Sequence, residues 1–500
     1  MRIVPFLHGG LLALAAPAAQ AQPPAPLTFP NSGAPAAQAS FLRGLSLLHN
    51  FEYPRAAEAF REAQAADPTF ALAYWGEAMT YNHPVWMRQD AAAARGVLAR
   101  LGPSPESRLA RAPAGRERGL MEAVEILYGE GTKEERDRAY AGQMAGLGQA
   151  FPNDVDIQAF RALSLLGLAH DGRDVRLYMR AAALLEPMVP AHPDHPGVLH
   201  YLIHSYDDPT HAPLGLRAAR RYGDIAPDAP HARHMTSHIF LALGMWDEVI
   251  EANIAADAAV DALRRAAGRP DVACGHYNEW LVYGLLQAER YGDASVAATA
   301  CLDQARTQPG GLGASGSGGT PALSAADMAI RVAIENGQAI GPALSSALAG
   351  SHPEARFTMA YAELLSGAGD AARVRAARAQ LIEGDRALAG AARAEAEPPY
   401  ATRRRAVVLY QAEGLEALRA GRVEAGLAAL RRAAEAERTM PAEFGPPLVE
   451  KPSFELLGEE LLRLGRRSDA AAAFRTALEL APGRLRSVRG LAATEGGTPP

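Results

Sequence analysis

The sequence predicts an all-α protein, a solenoid of stacked helical hairpins. Two HxxxH pairs, His200 with His204 and His234 with His238, are offset by 34 residues, and His170 lies 34 residues before His204. A period of this length is typical of a helix–turn–helix repeat. Aromatic residues make up only 6% of the chain, and stretches that alternate Val, Ile or Thr with polar residues are missing, which favours helices throughout.

The repeat can be followed through its small, aromatic and proline positions. In residues 37–70 these positions hold Gly44, Tyr53, Ala56, Phe60, Ala63 and Pro68. Further units are predicted to begin near residues 71, 162, 196 and 230, with a degenerate helix pair at 116–128 and 134–150. Helices near 322–348 and 353–395 are harder to register. The repeat returns at 407–440, and a last unit carries Phe454, Leu457, Gly458, Ala470, Phe474, Ala477 and Pro482.

The N-terminus predicts an exported protein, periplasmic or secreted. A positive charge at Arg2, a short apolar run and the sequence Ala19-Gln20-Ala21 describe a secretory signal over residues 1–21, cleaved after Ala21. The alternative is a first helix that packs on the array. The proline-rich residues 22–36 are expected to form a loose mature N-terminus. The rest of the chain has no run of 18 or more apolar residues, so no transmembrane span is predicted.

Composition divides the rest of the chain into two arrays. Residues 37–306 and 322–490 are predicted to be helical, with a flexible glycine- and serine-rich linker at 307–321 and a frayed polar tail at 491–500. The net charge is −6, without a clustered basic stripe, which argues against nucleic acid as a partner. The two cysteines, Cys274 and Cys301, form either a disulfide or two buried thiols, and the sequence leaves both open.

These repeats resemble the tetratricopeptide repeat family over most of the predicted mature chain. Four stretches look like blocks of a bacterial exported subgroup of that family. They are HYLIH, HMTSHIF, AYWGEAMTYNHPVW, and EFGPP followed by KPSFELLGE. The resemblance implies a right-handed superhelix whose first helices line a concave groove through repeat positions 2, 5, 9, 12 and 13. It also implies a protein or peptide partner in that groove.

Histidine is concentrated at those inward positions. They would carry nine of the fourteen histidines, where random placement would put about two. In the unit that contains His276, Glu279 and Tyr283 occupy the next two inward positions. The nine histidines are His49, His83, His170, His200, His204, His231, His234, His238 and His276.

The histidine spacing predicts a possible metal site. Residues at i and i+4 share a helix face, so His200 and His204, with Asp207 one turn further on, can present ligands to one ion. His234 and His238 of the next unit would lie alongside. Two imidazoles and a carboxylate with open positions suit a divalent transition metal such as Zn, Fe or Cu. This differs from HExxH, because Tyr201 replaces the catalytic glutamate.

Three interpretations stay open at this point. The protein is a scaffold that binds a protein or peptide through its groove; or it is a metal-binding protein or metal-dependent enzyme; or its histidines only hold helices together. The sequence leaves catalysis undecided.

Overall fold

The computed structural model describes residues 27–307, 320–337, 353–391, 399–441 and 444–496, and nearly all regular structure in these ranges is α-helical. The predicted all-α helical-hairpin solenoid is confirmed. The predicted signal peptide, and most of the predicted linker (308–319), lie outside the described residues. None of the described helices combines the length and the apolar character that a membrane crossing requires.

Twelve helices precede residue 243. They are α1 (Pro35–His49), α2 (Tyr53–Ala66), α3 (Ala71–Met79), α4 (Ala91–Leu101), α5 (Pro105–Leu109), α6 (Arg116–Leu127), α7 (Lys133–Ala150), α8 (Val155–Leu166), α9 (Val175–Leu185), α10 (Pro196–Tyr206), α11 (Ala212–Ile225) and α12 (Pro230–Ala242). A two-stranded antiparallel ribbon of β1 (Asn82–His83) and β2 (Arg88–Gln89) lies between α3 and α4.

The remaining described helices form the second part of the array. They are α13 (Trp246–Ala266), α14 (His276–Gln287), α15 (Tyr291–Thr307), α16 (Pro321–Asn336), α17 (Pro353–Ser366), α18 (Ala371–Ala391), α19 (Pro399–Arg419), α20 (Val423–Arg438), α21 (Ser453–Arg463), α22 (Arg467–Leu480) and α23 (Leu485–Thr494). Each helix packs chiefly on its neighbours in sequence, and α10 also contacts both α8 and α12. The first helices of successive hairpins therefore form one continuous inner layer.

A small residue facing an aromatic ring sets the spacing within the hairpins. A Cβ atom added at Gly44 of α1 would lie 3.0 Å from the Phe60 ring of α2. A Cβ added at Gly458 of α21 would lie 2.8 Å from the Phe474 ring of α22. Both pairs occupy the same repeat positions, so the two helices approach until the ring meets the opposite backbone. Close packing of this kind explains the glycine and phenylalanine in the repeat pattern.

The β-ribbon corrects one sequence prediction. The sequence places His83 at an inward position of the unit that begins near residue 71, but α3 ends at Met79 and a 3₁₀ turn spans Pro84–Trp86. Proline lacks the N–H that a helix interior needs, and its ring clashes with the preceding turn. His83 consequently lies on β1 and not on an inner helix.

The ends of the array are better ordered than predicted. Phe29 lies before α1, is buried, and has the Arg116 guanidinium 3.7 Å from its ring centroid. The expected loose N-terminus therefore does not include residues 27–34, which pack on the array. At the other end, α23 continues to Thr494 with Ala493 buried, so the helix passes beyond the predicted boundary at residue 490. Between α4 and α6, the short helix α5 begins with a capping box of Ser104 and Ser107.

The two predicted arrays are joined by direct helix packing. Helix α15 packs against α16, and α14 also contacts α16. The Thr320 side chain accepts a hydrogen bond from the Leu323 N–H and caps α16. The inner layer is therefore continuous across the predicted linker.

The C-terminal hairpin also returns to the first part of the array. The Trp246 indole N–H donates to the Gly483 carbonyl at 3.0 Å. A Cβ added at Gly483 would lie 3.0 Å from the Gly244 Cα, and both glycines have left-handed φ values, 70° and 69°. Glycine is favoured at this crossing because it permits both the positive φ and the close backbone approach.

A buried arginine connects this contact to three helices. The Arg484 guanidinium is fully buried and donates to the carboxylates of Glu455 on α21 and Glu335 on α16, each at 2.8 Å. It also donates to the Tyr283 hydroxyl of α14 at 3.2 Å. Burial alone would raise the pKa of Glu455, but the charges of Arg484 and Lys451 hold that pKa well below its ordinary value. These carboxylates depend on Arg484 for their charge compensation.

Replacing Arg484 should weaken the packing of the C-terminal hairpin on the first part of the array. We expect Arg484→Ala to lower the free energy of unfolding by about 3–5 kcal/mol, because buried Glu335 loses its arginine partner and buried Glu455 keeps only Lys451. Arg466→Ala is the matched control, since Arg466 pairs with Glu424 at the surface and such pairs contribute about 1 kcal/mol or less. Urea denaturation followed by circular dichroism measures both variants. Equal effects would contradict the role given to Arg484.

Candidate metal centre

Six imidazoles from three inner helices come together in the first part of the array. We call them the histidine cluster: His200 and His204 of α10, His231, His234 and His238 of α12, and His276 of α14. The ring centroids of each HxxxH pair are 4.8 Å apart on α10 and 4.9 Å apart on α12. The His204 and His238 rings of adjacent helices are 6.0 Å apart. The structure therefore brings together the four histidines that the spacing predicted.

The cluster contains two groups of three. In triad A (His200, His204 and His231), one ligand nitrogen from each ring lies within 4.8 Å of the others. In triad B (His234, His238 and His276), the same holds within the same limit. Each triad combines two histidines of one helix with one histidine of the first helix of the next hairpin.

Triad A has buried nitrogens without partners. His200 Nδ1 donates to the backbone carbonyl of His49 at 2.6 Å, and its Nε2 has no hydrogen-bond partner. Neither nitrogen of His204 has one, nor does Nε2 of His231. His200 and His204 are at most 1% exposed. An unpaired buried polar atom is costly, so this arrangement needs an explanation.

In triad B, the donor and the acceptor can be assigned for the Nδ1 hydrogen bonds of His234 and His238. Asn253 of α13 donates its amide to the Val249 carbonyl, so its Oδ1 must accept from His234 Nδ1, at 2.8 Å. Asp207 accepts from His238 Nδ1 at 2.5 Å. Both Nδ1 atoms therefore carry the proton, and the two Nε2 atoms face each other at 3.1 Å.

Asp207 thus takes a different place from the one predicted. The sequence placed it beside His200 and His204 as a third ligand, but its carboxylate reaches across to α12 and holds the His238 ring. It belongs to neither triad. A carboxylate in this position fixes the tautomer and orientation of an imidazole and makes the ring more basic.

Aromatic side chains enclose the cluster. The Phe51 centroid is 4.3 Å from that of His200 and 5.8 Å from that of His204. Phe51 adopts a left-handed φ of 56° in the turn between α1 and α2, an uncommon conformation for a residue with a side chain. Trp280 packs on His238, with 4.4 Å between centroids. His200, His204 and His238 are therefore removed from bulk water over most of their surface.

A segment of the second part of the chain covers the inner face. We call residues 444–452 the crossing segment. Its Phe444 ring lies 5.7 Å from His204 and 6.0 Å from His238, and a Cβ added at Gly445 would lie 2.4 Å from the Trp280 ring. The chain itself therefore contacts the inner face at His204, His238 and Trp280.

Burial keeps four imidazoles of the cluster neutral at pH 7. Desolvation, followed by neighbouring imidazoles, holds the pKa values of His200, His204, His231 and His234 well below 6.5. Neutral imidazole is the form that ligates metal ions.

A third buried group shows what paired histidines look like in this protein. His49 Nε2 and His195 Nε2 both donate to Asp156, at 3.0 and 3.2 Å. His49 Nδ1 accepts from the Tyr201 hydroxyl, and His195 Nδ1 accepts from the Val198 N–H. Every ring nitrogen has a partner. His49 was predicted to line the groove, but it joins α1, α8 and α10 in the interior.

Four other predicted groove residues lie outside the histidine cluster. His83 Nε2 donates to the Thr80 carbonyl at 3.0 Å. The unit predicted to begin near residue 162 begins with α8 at Val155, so His170 follows the end of that helix at Leu166, and its Nε2 is 3.2 Å from Asp137. Tyr283 binds Arg484. Glu279 is half-buried on the first turn of α14 and belongs to neither triad.

Several residues around the cluster were not predicted. Asn253 follows Val249 and Ile250 on the buried face of α13, where a polar residue in an apolar stripe is a usable signal. Asp156 is likewise a charged residue within an apolar helix. Nothing in the local sequence of Phe444 indicates that it reaches His204.

A cavity of about 280 Å³ lies beside the cluster, between the two parts of the array. Its walls are mainly apolar and include Trp246 and Phe454, with prolines from the crossing segment. Asp207 lines it on one side and holds His238 on the other. It is a concave, largely apolar site with a few polar groups, as small-molecule and peptide sites are.

No family model and no curated protein matches the chain. Among solved structures, it is similar to a chain of the APC/C hetero-tetramer Cut9-Hcn1 at 12% identity and a TM-score of 0.36, over 93% of this chain and 78% of that chain. Yeast Tom70 is 12% identical with a TM-score of 0.34, over 92% and 95%. The human IFIT1 dimer with m7Gppp-AAAA is 11% identical with a TM-score of 0.37, over 90% and 94%. Because these TM-scores are below 0.5, the fold assignment depends on the helices of this chain alone.

Substituting Asp156 should test the structural role of the third group. We expect Asp156→Asn to lower the free energy of unfolding at pH 7 by about 2–3 kcal/mol, since a neutral amide oxygen replaces the charged oxygen that accepts from both buried imidazoles and charge-assisted hydrogen bonds are the stronger ones. The exposed Asp293→Asn, which loses only a surface pair with Arg290, should cost about 0.5 kcal/mol or less. Urea denaturation measures both. A loss at Asp156 no larger than that of the control would contradict the assignment.

Proposed function

We propose that this helical-repeat protein binds a divalent transition metal ion through triad A. The observation that supports the proposal is the set of buried, unpartnered nitrogens of His200, His204 and His231 within 4.8 Å of one another. A metal ion would use these lone pairs, which no protein group satisfies. Imidazole ligands suit Zn, Cu and Fe.

The surroundings of triad A support the same conclusion. The carbonyl of His49 fixes the His200 ring through Nδ1 and leaves Nε2 for a ligand, as partners of metal-bound histidines commonly do. The rings are neutral before binding, so an ion would not have to displace protons from them at pH 7. The Phe51 and Phe444 rings limit access by water. Three nitrogens with an open position fit a four-coordinate ion.

Metal content tests this proposal directly. Protein without a His-tag should contain stoichiometric metal, and its apo form should take up Zn²⁺. The double variant His200→Ala/His204→Ala should lose one equivalent, because two of three ligands are removed. His170→Ala is the matched control, since His170 lies outside both triads, and it should keep the full content. Atomic emission measures the metal, and circular dichroism confirms that the variants stay helical.

Two outcomes would count against a metal site in triad A. The first is wild-type protein that stays metal-free after incubation with Zn²⁺, Fe²⁺ or Cu²⁺. The second is a double variant that remains helical and binds as much metal as the control.

We also propose that the protein is exported and that a polypeptide partner binds at the cavity. The cavity supports this candidate because the inner face at the histidines is covered by the crossing segment, whereas Leu480 at the cavity edge is exposed. Export is supported by the predicted cleavage after Ala21 and agrees with the disulfide between Cys274 and Cys301, because such bonds persist in oxidising compartments.

Site-specific photo-crosslinking tests both parts. A photo-crosslinking amino acid at Leu480 should give a discrete product in the cell envelope fraction, whereas one at Val296, which is exposed on α15 away from the cavity, should not. Mass spectrometry of the product should show a chain that begins at Gln22. Identical products at both positions would contradict a partner site at the cavity, and a chain that retains Met1 would contradict export.

A further inference from the structure

We infer that triad B is a second metal site, and that the Cys274–Cys301 disulfide completes it by holding His276 in place. This inference goes beyond the proposed function, because it concerns different ligands and a different test. Its chemical class of ligand is again a divalent transition metal ion.

The first step concerns the pair His234 and His238. Their Nε2 atoms are 3.1 Å apart, and the network around Asn253 and Asp207 places a proton on Nδ1 of each ring, so the neutral form of each ring has its lone pair on Nε2. Two unprotonated nitrogens cannot form a hydrogen bond with each other. Their lone pairs face each other in a buried space, which a shared cation would stabilise.

The separation also fits coordination. Two nitrogens bound to one tetrahedral zinc at about 2.0–2.1 Å lie about 3.3 Å apart. The observed 3.1 Å between the Nε2 atoms is close to that value. Asn253 and Asp207 hold the rings by the opposite nitrogen, the usual arrangement of the partners that orient metal-bound histidines.

The third ligand comes from His276. Its ring centroid lies 4.6 Å from that of His234, and one of its nitrogens is within 4.8 Å of the ligand atoms of the pair. His276 is the first residue of α14 and is exposed, whereas His234 and His238 are buried. An ion therefore has a route from solvent into triad B through its most exposed member.

The chain immediately before His276 is fixed by the disulfide. Cys274 on this loop is bonded to Cys301 of α15, with 4.8 Å between the Cα atoms, and only Gly275 separates it from His276. Gly275 has a φ of 137°, a conformation open to glycine. Three hydrogen bonds also hold this loop: the Ala273 N–H donates to Gln304 of α15 at 2.9 Å, Gln304 donates to the Asp271 carbonyl at 3.1 Å, and the Val272 N–H donates to Asp261 of α13 at 3.0 Å. The disulfide is the covalent link of the loop to α15 and lies one glycine away from His276.

Triad A has no such dependence. Its three ligands lie on α10 and α12, and neither helix contains or directly follows a cysteine of the disulfide. The disulfide should therefore control triad B and leave triad A unchanged, so the chain would bind two equivalents of metal when oxidised and one when the disulfide is absent.

The decisive experiment counts metal equivalents in the full-length mature protein with Zn²⁺ as the probe. Oxidised wild type should bind two. Cys274→Ser/Cys301→Ser and His276→Ala should each weaken one of the two sites by about 10- to 100-fold, the usual effect of losing a group that orients or ligates a metal. His200→Ala/His204→Ala should lose the other site. His170→Ala should keep both.

Reduction offers a second route that needs no substitution at cysteine. A water-soluble phosphine gives two electrons to the S–S bond and takes oxygen from water as the phosphine oxide, while two protons from that water complete the two thiols. Reduction should weaken triad B in wild type but should have no further effect on His276→Ala, because both changes remove the same ligand. His276→Ala also keeps the test valid if the serine variant does not fold.

The possible results separate the two metal proposals. One equivalent that His200→Ala/His204→Ala abolishes would retain triad A and overturn triad B. If neither Cys274→Ser/Cys301→Ser nor reduction changes the binding of two equivalents, the proposed effect of the disulfide on triad B would be overturned. A single equivalent that survives His200→Ala/His204→Ala but disappears in His276→Ala would overturn the function proposed for triad A.

Discussion

The stacking of α10 on α12 is the constraint on which the histidine cluster depends. These inner helices contact each other directly, and the 34-residue offset places equivalent side chains on the same face of each. The HxxxH pairs accordingly have nearly the same centroid separation, 4.8 Å on α10 and 4.9 Å on α12. A shift of one residue in either helix would rotate its imidazoles by about 100°, out of the shared interior.

Much of this arrangement could be predicted from the sequence, because it follows from local periodicity. The 34-residue period predicted the hairpins, and the i, i+4 spacing predicted that His200, His204, His234 and His238 would converge. Both signals depend only on helix geometry and on close packing between neighbours. The predicted positions of two histidines were wrong because helix boundaries differ from the repeat pattern. Helix α8 ends before His170, and Pro84 turns the chain into the ribbon that carries His83.

The electrostatic details could not be predicted, because they depend on residues distant in sequence. The acceptor for His200 is the carbonyl of His49, 151 residues away, and Phe444 reaches His204 from the second part of the array. Asp207 lies at a spacing that suits a ligand of the α10 pair, yet the end of α10 directs its carboxylate toward α12. Repeat positions specify a face of a helix. They do not specify which nitrogen of a ring is paired or what covers it.

Buried histidines with and without hydrogen-bond partners can be compared within this protein. His49 and His195 are buried as deeply as His200 and His204, and every nitrogen of the first pair has a hydrogen-bond partner. Burial by itself therefore does not force imidazoles in this fold to remain unpaired. Each unpaired nitrogen in triad A costs about 1–3 kcal/mol, and a purely structural role gives nothing in return. A metal ion bound at triad A, as we propose, would account for both the convergence of these atoms and the absence of protein partners.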